Sequence, residues 1–249
     1  QFDRVFTSED YGDVFAKSMG AEHWRFDQSR TIVPVSATLI RKRPLKYWDY
    51  INNFAKDYFV KKIAIVGTES TGKTTLCQKL AEYYNTSWAP EAGRDLIPNS
   101  RECTLEDLKL VGTEHAKNIL RAIRHSNKVV FIDTDLQVTK DYAEYLFGQV
   151  PKFEPWVEKA NKVDLYIYLE KDAPYIDDGT RLPEEQRNEL DEIHYKNIFV
   201  VNNNLRGYGF NPEFEGGETE EEKATIINQT YNDRFRFVVQ DIDKFLSQF

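Results

Sequence analysis

The sequence predicts an α/β fold: a parallel five-stranded sheet flanked by helices, preceded by part of a second α/β unit. Three observations lead there. Short apolar runs (KIAIV, KVVFI, LYIYL) alternate with stretches of helical spacing, the pattern of parallel strands joined by crossover helices. After a leading lysine in two of them, the runs are hydrophobic, as in strands covered on both faces. A turn, GTESTGKT, joins the first run to the first helix.

Each element follows from local chemistry. Lys62–Val66 is a β-branched strand and Thr74–Tyr84 a helix with Leu76, Leu80 and Tyr84 on one side. Ser87–Ala89 is a short second strand. Thr104 and Asp107 form a capping box that opens a helix reaching about His125. Lys128–Ile132 is a strand, and Val138–Phe147 a helix stopped by Gly148. Leu165–Leu169 is a strand and Glu184–Ile198 a helix. Residues 207–222 read as a mobile acidic insertion. Ala224–Asn228 (ATIIN) reads as the last strand, and Asp233–Leu246 as a closing amphipathic helix.

The first 55 residues read differently from residues 56–249. Val5 and Phe6 end a strand, Asp10–Met19 is a helix stopped by Gly20, and His23–Phe26 is a further strand. Ser36 precedes a short helix, Thr38–Lys42, halted before Pro44. Two βα units are too few for a stable sheet, so this stretch is expected to be the tail of a longer domain. A polar, Pro-containing linker follows it.

Composition narrows the function. The chain has 249 residues, 30% charged and 41% hydrophobic, with a net charge of −8. That balance argues against a general nucleic-acid binder, so any polyanion must be held by a local site. No run of about 18 apolar residues would span a membrane. Cys77 and Cys103 have neither metal nor framework spacing, and a reducing cytoplasm is the simplest home.

The sharpest motif is Gly67-Thr68-Glu69-Ser70-Thr71-Gly72-Lys73-Thr74, which fits the P-loop pattern G-x-x-x-x-G-K-[ST]. Glycines let the loop curl so that successive N–H groups point at phosphate oxygens. The following helix, which includes Thr75, adds its positive end. Lys73 brings a point charge to the β- and γ-phosphates, and the Thr74 hydroxyl can ligate Mg2+. Asp133, at the end of KVVFI, suits the magnesium side; Asp135 lies two residues on. These features imply ATP and Mg2+.

A small-molecule kinase, a GTPase switch, a nucleotide sensor and a motor all use such loops. Asn161-Lys162-Val163-Asp164 matches the guanine-reading N-K-x-D, but it precedes a strand where a GTPase has it follow one. No repeat or larger chain supports a motor. Asp177-Asp178-Gly179-Thr180-Arg181, with Arg187 beyond, suits a lid that brings positive charge to a transferred phosphoryl group and excludes water. Glu91 and Arg94 follow the short second strand, where an acceptor would sit. A carboxylate there can take the hydroxyl proton or grip ribose hydroxyls. Trp88 can stack a heterocycle or fill core.

In this order, IAIVGTESTGKTTL, EAGRDL, VVFIDTDLQVT, DDGTR and YNDRF resemble the ribosylnicotinamide kinase domain of NadR-type proteins. The N-terminal stretch resembles the end of that family's adenylyltransferase domain, with Ser36-Ala37-Thr38-Leu39-Ile40-Arg41 standing for its S-x-T-x-x-R motif. The resemblance implies a P-loop kinase-type sheet of order 2-3-1-4-5, behind part of a nucleotidylyltransferase Rossmann-like domain. It implies phosphorylation of nicotinamide riboside by ATP, in a family that also adenylylates the product to NAD. Carried onto this chain, residues 67–75 cradle the phosphates. Lys73, Asp133, Glu91 and Arg181 are the catalytic candidates, with Thr74 and Asp133 beside magnesium. Trp88, Glu91, Arg94, Asp135, Asp177 and Asp178 are acceptor-side candidates, Arg187 is a second lid arginine, and Tyr231 lies by the adenine.

Two departures matter. None of His23, His115, His125 or His194 belongs to the H-x-G-H motif an adenylyltransferase needs, so this chain alone is expected not to make NAD and to be a piece of a longer protein. Pro90 stands where the family has an aromatic beside the acceptor glutamate. A sensor with weak turnover, a kinase for another nucleoside, and a homo-oligomer stay open.

Overall fold

The computed structural model describes residues 2–97, 99–171, 181–201, 205–208 and 220–249. The chain divides into two compact units, residues 1–52 with Phe249, and residues 53–248.

The first unit holds β1 (Arg4–Thr7), α1 (Gly12–Ser18), β2 (Glu22–Arg25) and α2 (Ala37–Lys42). β1 and β2 pair in parallel, with Val5 opposite His23. The crossover between them needs Gly12, because a Cβ there would lie 2.2 Å from both Thr7 Oγ1 and His23 Nε2. Asp13 lies 2.7 Å from His23 Nδ1 and accepts from Arg25 at 2.6 Å, and these two bonds hold its carboxyl below the usual range. Ser36 caps α2, its Oγ accepting from the Leu39 amide at 3.2 Å. Val35, Leu45, Trp48 and Ile51 are buried.

In the second unit α3 (Asn53–Lys56) leads into β3 (Lys61–Val66), α4 (Lys73–Tyr83), β4 (Trp88–Ala89), α5 (Gly93–Leu96) and α6 (Leu105–Arg124). Then come β5 (Val129–Asp133), α7 (Leu136–Phe147), α8 (Pro155–Ala160) and β6 (Leu165–Leu169). α9 (Glu184–Val201), β7 (Leu205–Tyr208) and α10 (Glu220–Leu246) complete it. The five strands are parallel in the order β4-β5-β3-β6-β7. Numbered within this unit, that is the expected 2-3-1-4-5.

Ile63, Ala64, Ile65 and Val66 of β3 are all 0% exposed, which requires cover on both faces. One face meets Leu76 and Leu80 of α4 and Val238 and Ile242 of α10. A second cluster joins Ala116, Leu136, Val157 and Ala160 of α6, α7 and α8.

One strand expectation is corrected. Residues 224–228 lie inside α10, and the fifth strand is Leu205–Tyr208. A short apolar run cannot tell strand from helix, and a 27-residue helix continuous with the Val238–Ile242 face takes this one. Of the expected insertion, 209–219 lie outside the described residues. Gly207 and Tyr208 belong to the strand and Glu220–Glu222 to α10. The Gly148 stop has φ 64, as a left-handed C-cap requires.

The capping box at α6 is complete: Thr104 Oγ1 accepts from the Asp107 amide at 3.2 Å, and Asp107 Oδ2 accepts from the Thr104 amide at 2.9 Å. Thr104→Ala should therefore cost about 1 kcal/mol, and Thr104→Gly a few tenths. The shift of the urea unfolding midpoint of the two variants checks both values.

Candidate phosphate-binding and acceptor site

The loop 67–72 leaves the end of β3, the central strand, and runs into α4. Gly67 has φ 137, and a Cβ on it would meet the Leu169 carbonyl oxygen at 2.4 Å, so the loop starts pressed against the end of β6. Ser70 (φ 62) and Gly72 (φ 86) also take left-handed angles. Gly72 is the N-cap of α4, and its missing side chain leaves room for the Tyr231 ring, 3.1 Å from where a Cβ would be.

The loop's carbonyls are claimed from within the protein. Thr68 O accepts from Thr71 Oγ1 at 3.0 Å and from Lys73 Nζ at 2.7 Å. Glu69 O accepts from Arg187 Nε at 3.0 Å, and Thr71 O from Arg234 Nη1 at 3.0 Å. With carbonyls turned inward, the amides of the same peptide units are free to face the concave side, as an anion cradle requires. Arg181 Nη1 donates to Ser70 Oγ at 2.5 Å, and Arg101 Nε to the Arg181 carbonyl at 2.7 Å.

Thr74 Oγ1 donates to Asp133 Oδ2 at 2.6 Å. Asp133 is 1% exposed, and its Oδ1 has no hydrogen-bond partner among the described residues. A hydroxyl oxygen and a carboxylate oxygen beside a phosphate cradle are the hard donors magnesium takes, the rest of its shell being phosphates and water. Among the described residues no group of three or more His, Cys, Asp or Glu could hold a metal by itself. The residue after Asp133, Thr134, has φ 72, unusual for a β-branched residue; its carbonyl lies 3.2 Å from Nε2 of buried His115. Burial lowers the His115 pKa, which keeps the ring neutral.

Glu91 lies beyond β4 with Arg94 Nε 3.6 Å from its Oε2. Burial pushes its carboxyl up; the positive charges of Lys73 and Arg94 offset this in part, while Asp133 and Glu69 add to it.

Lys73, Thr74, Asp133, Glu91, Glu69, Ser70, Thr71, Arg181 and Tyr231 are thus brought to one end of the sheet. Thr75 is exposed on the first turn of α4. Arg187 is not a lid residue here: it is 2% exposed and braces the loop from behind. Asp135 is spent on structure, capping α7 through Val138 N at 3.1 Å and accepting from Tyr166 OH at 2.8 Å. Trp88 packs against the core. Arg94 is largely exposed. Asp177 and Asp178 lie outside the described residues. The N-K-x-D segment is structural: Asp164 Oδ2 accepts from the Lys62 amide at 2.8 Å and Asn161 Nδ2 donates to the Val157 carbonyl at 3.0 Å.

Arg234 and Tyr142 escaped the sequence reading. Arg234 sits within the YNDRF signature, so a signal was there; Tyr142, whose hydroxyl donates to Glu69 Oε1 at 2.9 Å, carries none.

The family model described as AAA domain matches residues 62–205, more than half the chain and all but the first residue of the strands β3 to β6. The chain belongs to the AAA domain family. This AAA domain protein is also homologous to the trifunctional NAD biosynthesis/regulator protein NadR of Escherichia coli (strain K12), 34% identical over 206 residues, 80% of this chain and 50% of the relative. The NadR of Salmonella typhimurium (strain LT2) is 34% identical over 202 residues, 79% of this chain and 48% of the relative. The chain thus spans about half the length of these curated relatives. A crystal structure of NadR in complex with NR superposes with a TM-score of 0.67 at 25% identity, covering 93% of this chain and 68% of that one. A NadR structure with NAD and AMP-PNP superposes at 0.64 and 23% identity, over 93% and 66%, and bears on the fold alone. No helix among the described residues of the AAA domain protein is long and apolar enough to cross a membrane.

The cradle depends on Gly67. Gly67→Ala should lower the thermal midpoint and abolish triphosphate binding. Calorimetric titration with a non-hydrolysable triphosphate, beside a melting curve, checks both effects.

Proposed function

We propose that the chain is an ATP-dependent phosphotransferase that phosphorylates the 5′-hydroxyl of nicotinamide riboside, giving nicotinamide mononucleotide. The observation that carries this reading is the Thr74–Asp133 contact of 2.6 Å at the mouth of the amide cradle, with Lys73 beside it. The NadR relatives, one of them solved in complex with NR, support the acceptor.

In this reading residues 67–75 hold the triphosphate. Lys73 exchanges the Thr68 carbonyl for a β- or γ-phosphoryl oxygen. Thr74 and Asp133 hold magnesium, which when bound neutralises charge on the phosphates. Arg181, which already touches the loop at Ser70, faces the charge that grows on the transferring group. Glu91 takes the proton of the acceptor hydroxyl. Arg94, Asp177 and Asp178 are read as acceptor-binding candidates, and Tyr231 as the adenine-side one. The first unit is read as the C-terminal part of an adenylyltransferase domain.

Chromatography of a reaction with ATP, magnesium and a panel of nucleosides tests the reading. Nicotinamide mononucleotide is the expected product, and no phosphorylated nucleoside at all would leave only a nucleotide sensor. Lys73→Ala should lower kcat at least about a hundredfold, the size of effect seen when one transition-state donor is lost, with the melting temperature nearly unchanged.

The raised Glu91 carboxyl has a pH signature. The base works deprotonated, so the rate falls as pH drops through its pKa. That limb of kcat/KM should lie above the ordinary glutamate value of about 4.3, and Glu91→Gln should lose the limb with most of the rate.

A further inference from the structure

Glu69 occupies the variable middle of the phosphate loop, where a carboxylate aimed at bound phosphates would repel them. The structure turns it elsewhere. Its carbonyl stays with the loop, held by Arg187 at 3.0 Å, while its side chain runs to α7, where the Tyr142 hydroxyl donates to Oε1 at 2.9 Å. Oε2 is buried and has no hydrogen-bond partner among the described residues. A buried carboxylate oxygen left without a donor is unfavourable. Tyr142 therefore takes one oxygen of the group and leaves the second without a donor among the described residues.

The neighbourhood of that side chain follows from the topology. β4, β5 and β3 are neighbours in the parallel sheet, so Glu91, Asp133 and Glu69, which follow or end them, lie along one edge in that order. Glu69 is near enough for its charge to push the Glu91 carboxyl up. Its side chain is thus within electrostatic reach of the acceptor-side glutamate, and the Tyr142 bond draws it toward α7.

We propose that Glu69 is a specificity-determining residue whose Oε2 accepts a hydrogen bond from a ribose hydroxyl of the acceptor, other than the one phosphorylated. Tyr142 is its positioning residue. The inference rests on the kinase reading above and adds a substrate class: ribonucleosides in preference to deoxyribonucleosides. A site built to bond a hydroxyl rejects the analogue that lacks it, because its buried partner is left unpaired.

Calorimetric titration of the full chain, with an ATP analogue bound, tests the inference without needing turnover. The probes are nicotinamide riboside and its 2′-deoxy and 3′-deoxy forms. The wild type should bind the riboside at least tenfold more tightly than one of the two. In Glu69→Gln the amide oxygen takes the Tyr142 bond, and an NH2 donor then stands where Oε2 was. That variant should lose at least tenfold in riboside affinity and keep less than a threefold preference. Tyr142→Phe, a milder change, should move the preference part of the way. An unselective wild type, or a Glu69→Gln variant that loses the ATP analogue and keeps its acceptor preference, would overturn the assignment. A wild type that binds ribosides selectively but transfers no phosphate would sink the kinase reading and leave this one standing.

Discussion

The site depends on the direction in which one short loop points its peptide groups. A backbone amide that faces an anion turns its own carbonyl the other way, and where that carbonyl is buried it needs a donor. Here the donors are Thr71, Lys73, Arg187 and Arg234, from the loop itself, α4, α9 and α10. Gly67 allows the loop to begin against the Leu169 carbonyl, where a side chain has no room. Parts far apart in sequence are thereby committed to the shape of six residues. Burying two arginines, each with about 2 kcal/mol of side-chain entropy to lose, is offset by bonds to carbonyls that would otherwise be orphaned.

The sheet decides what stands opposite the loop. With every strand parallel, all C-terminal ends lie on one edge, and ligand-facing residues collect there. The β3–β5 register sets Ile65 beside Asp133, so the magnesium-side carboxylate comes level with the strand end that feeds the loop. β4 is only two residues long, yet it suffices to carry the chain to Glu91 beside β5. Thr134 takes a strained conformation directly after Asp133, as residues at working sites often do.

Much of this was legible in the sequence because it rests on local rules. Ile63–Val66, Val129–Ile132 and Leu165–Leu169 are hydrophobic throughout and are buried. The loop, the Thr104 capping box and the Gly148 stop declare themselves by residue type and spacing. The fifth strand did not: LRGY at the sheet edge lacks the apolar run of a central strand, while ATIIN, which has one, belongs to α10. Sequence pattern alone does not separate strand from helix in short runs of this kind. Arg187 was legible as an arginine near the phosphates, but its burial behind the loop is a tertiary fact. Tyr142 is one aromatic on an amphipathic helix, and no spacing marks it as the partner of Glu69.

The remaining polar burial links α7 to α9. Asp141 and His194 are both 0% exposed and lie 2.8 Å apart, and Asp141 also accepts from Asn197 at 2.6 Å and Gln137 at 2.8 Å. Apolar residues of the same volume would be as stabilising or more so, since desolvating such groups is costly. What the network adds is direction. A carboxylate that must meet three donors allows α9 one position on α7, whereas leucines would allow several. α9 carries Arg187 to the Glu69 carbonyl, and α7 carries Tyr142 to the same residue's carboxylate. The buried cluster thus fixes the two helices that between them orient Glu69, so the geometry of the loop's central residue is set by groups that never reach the site.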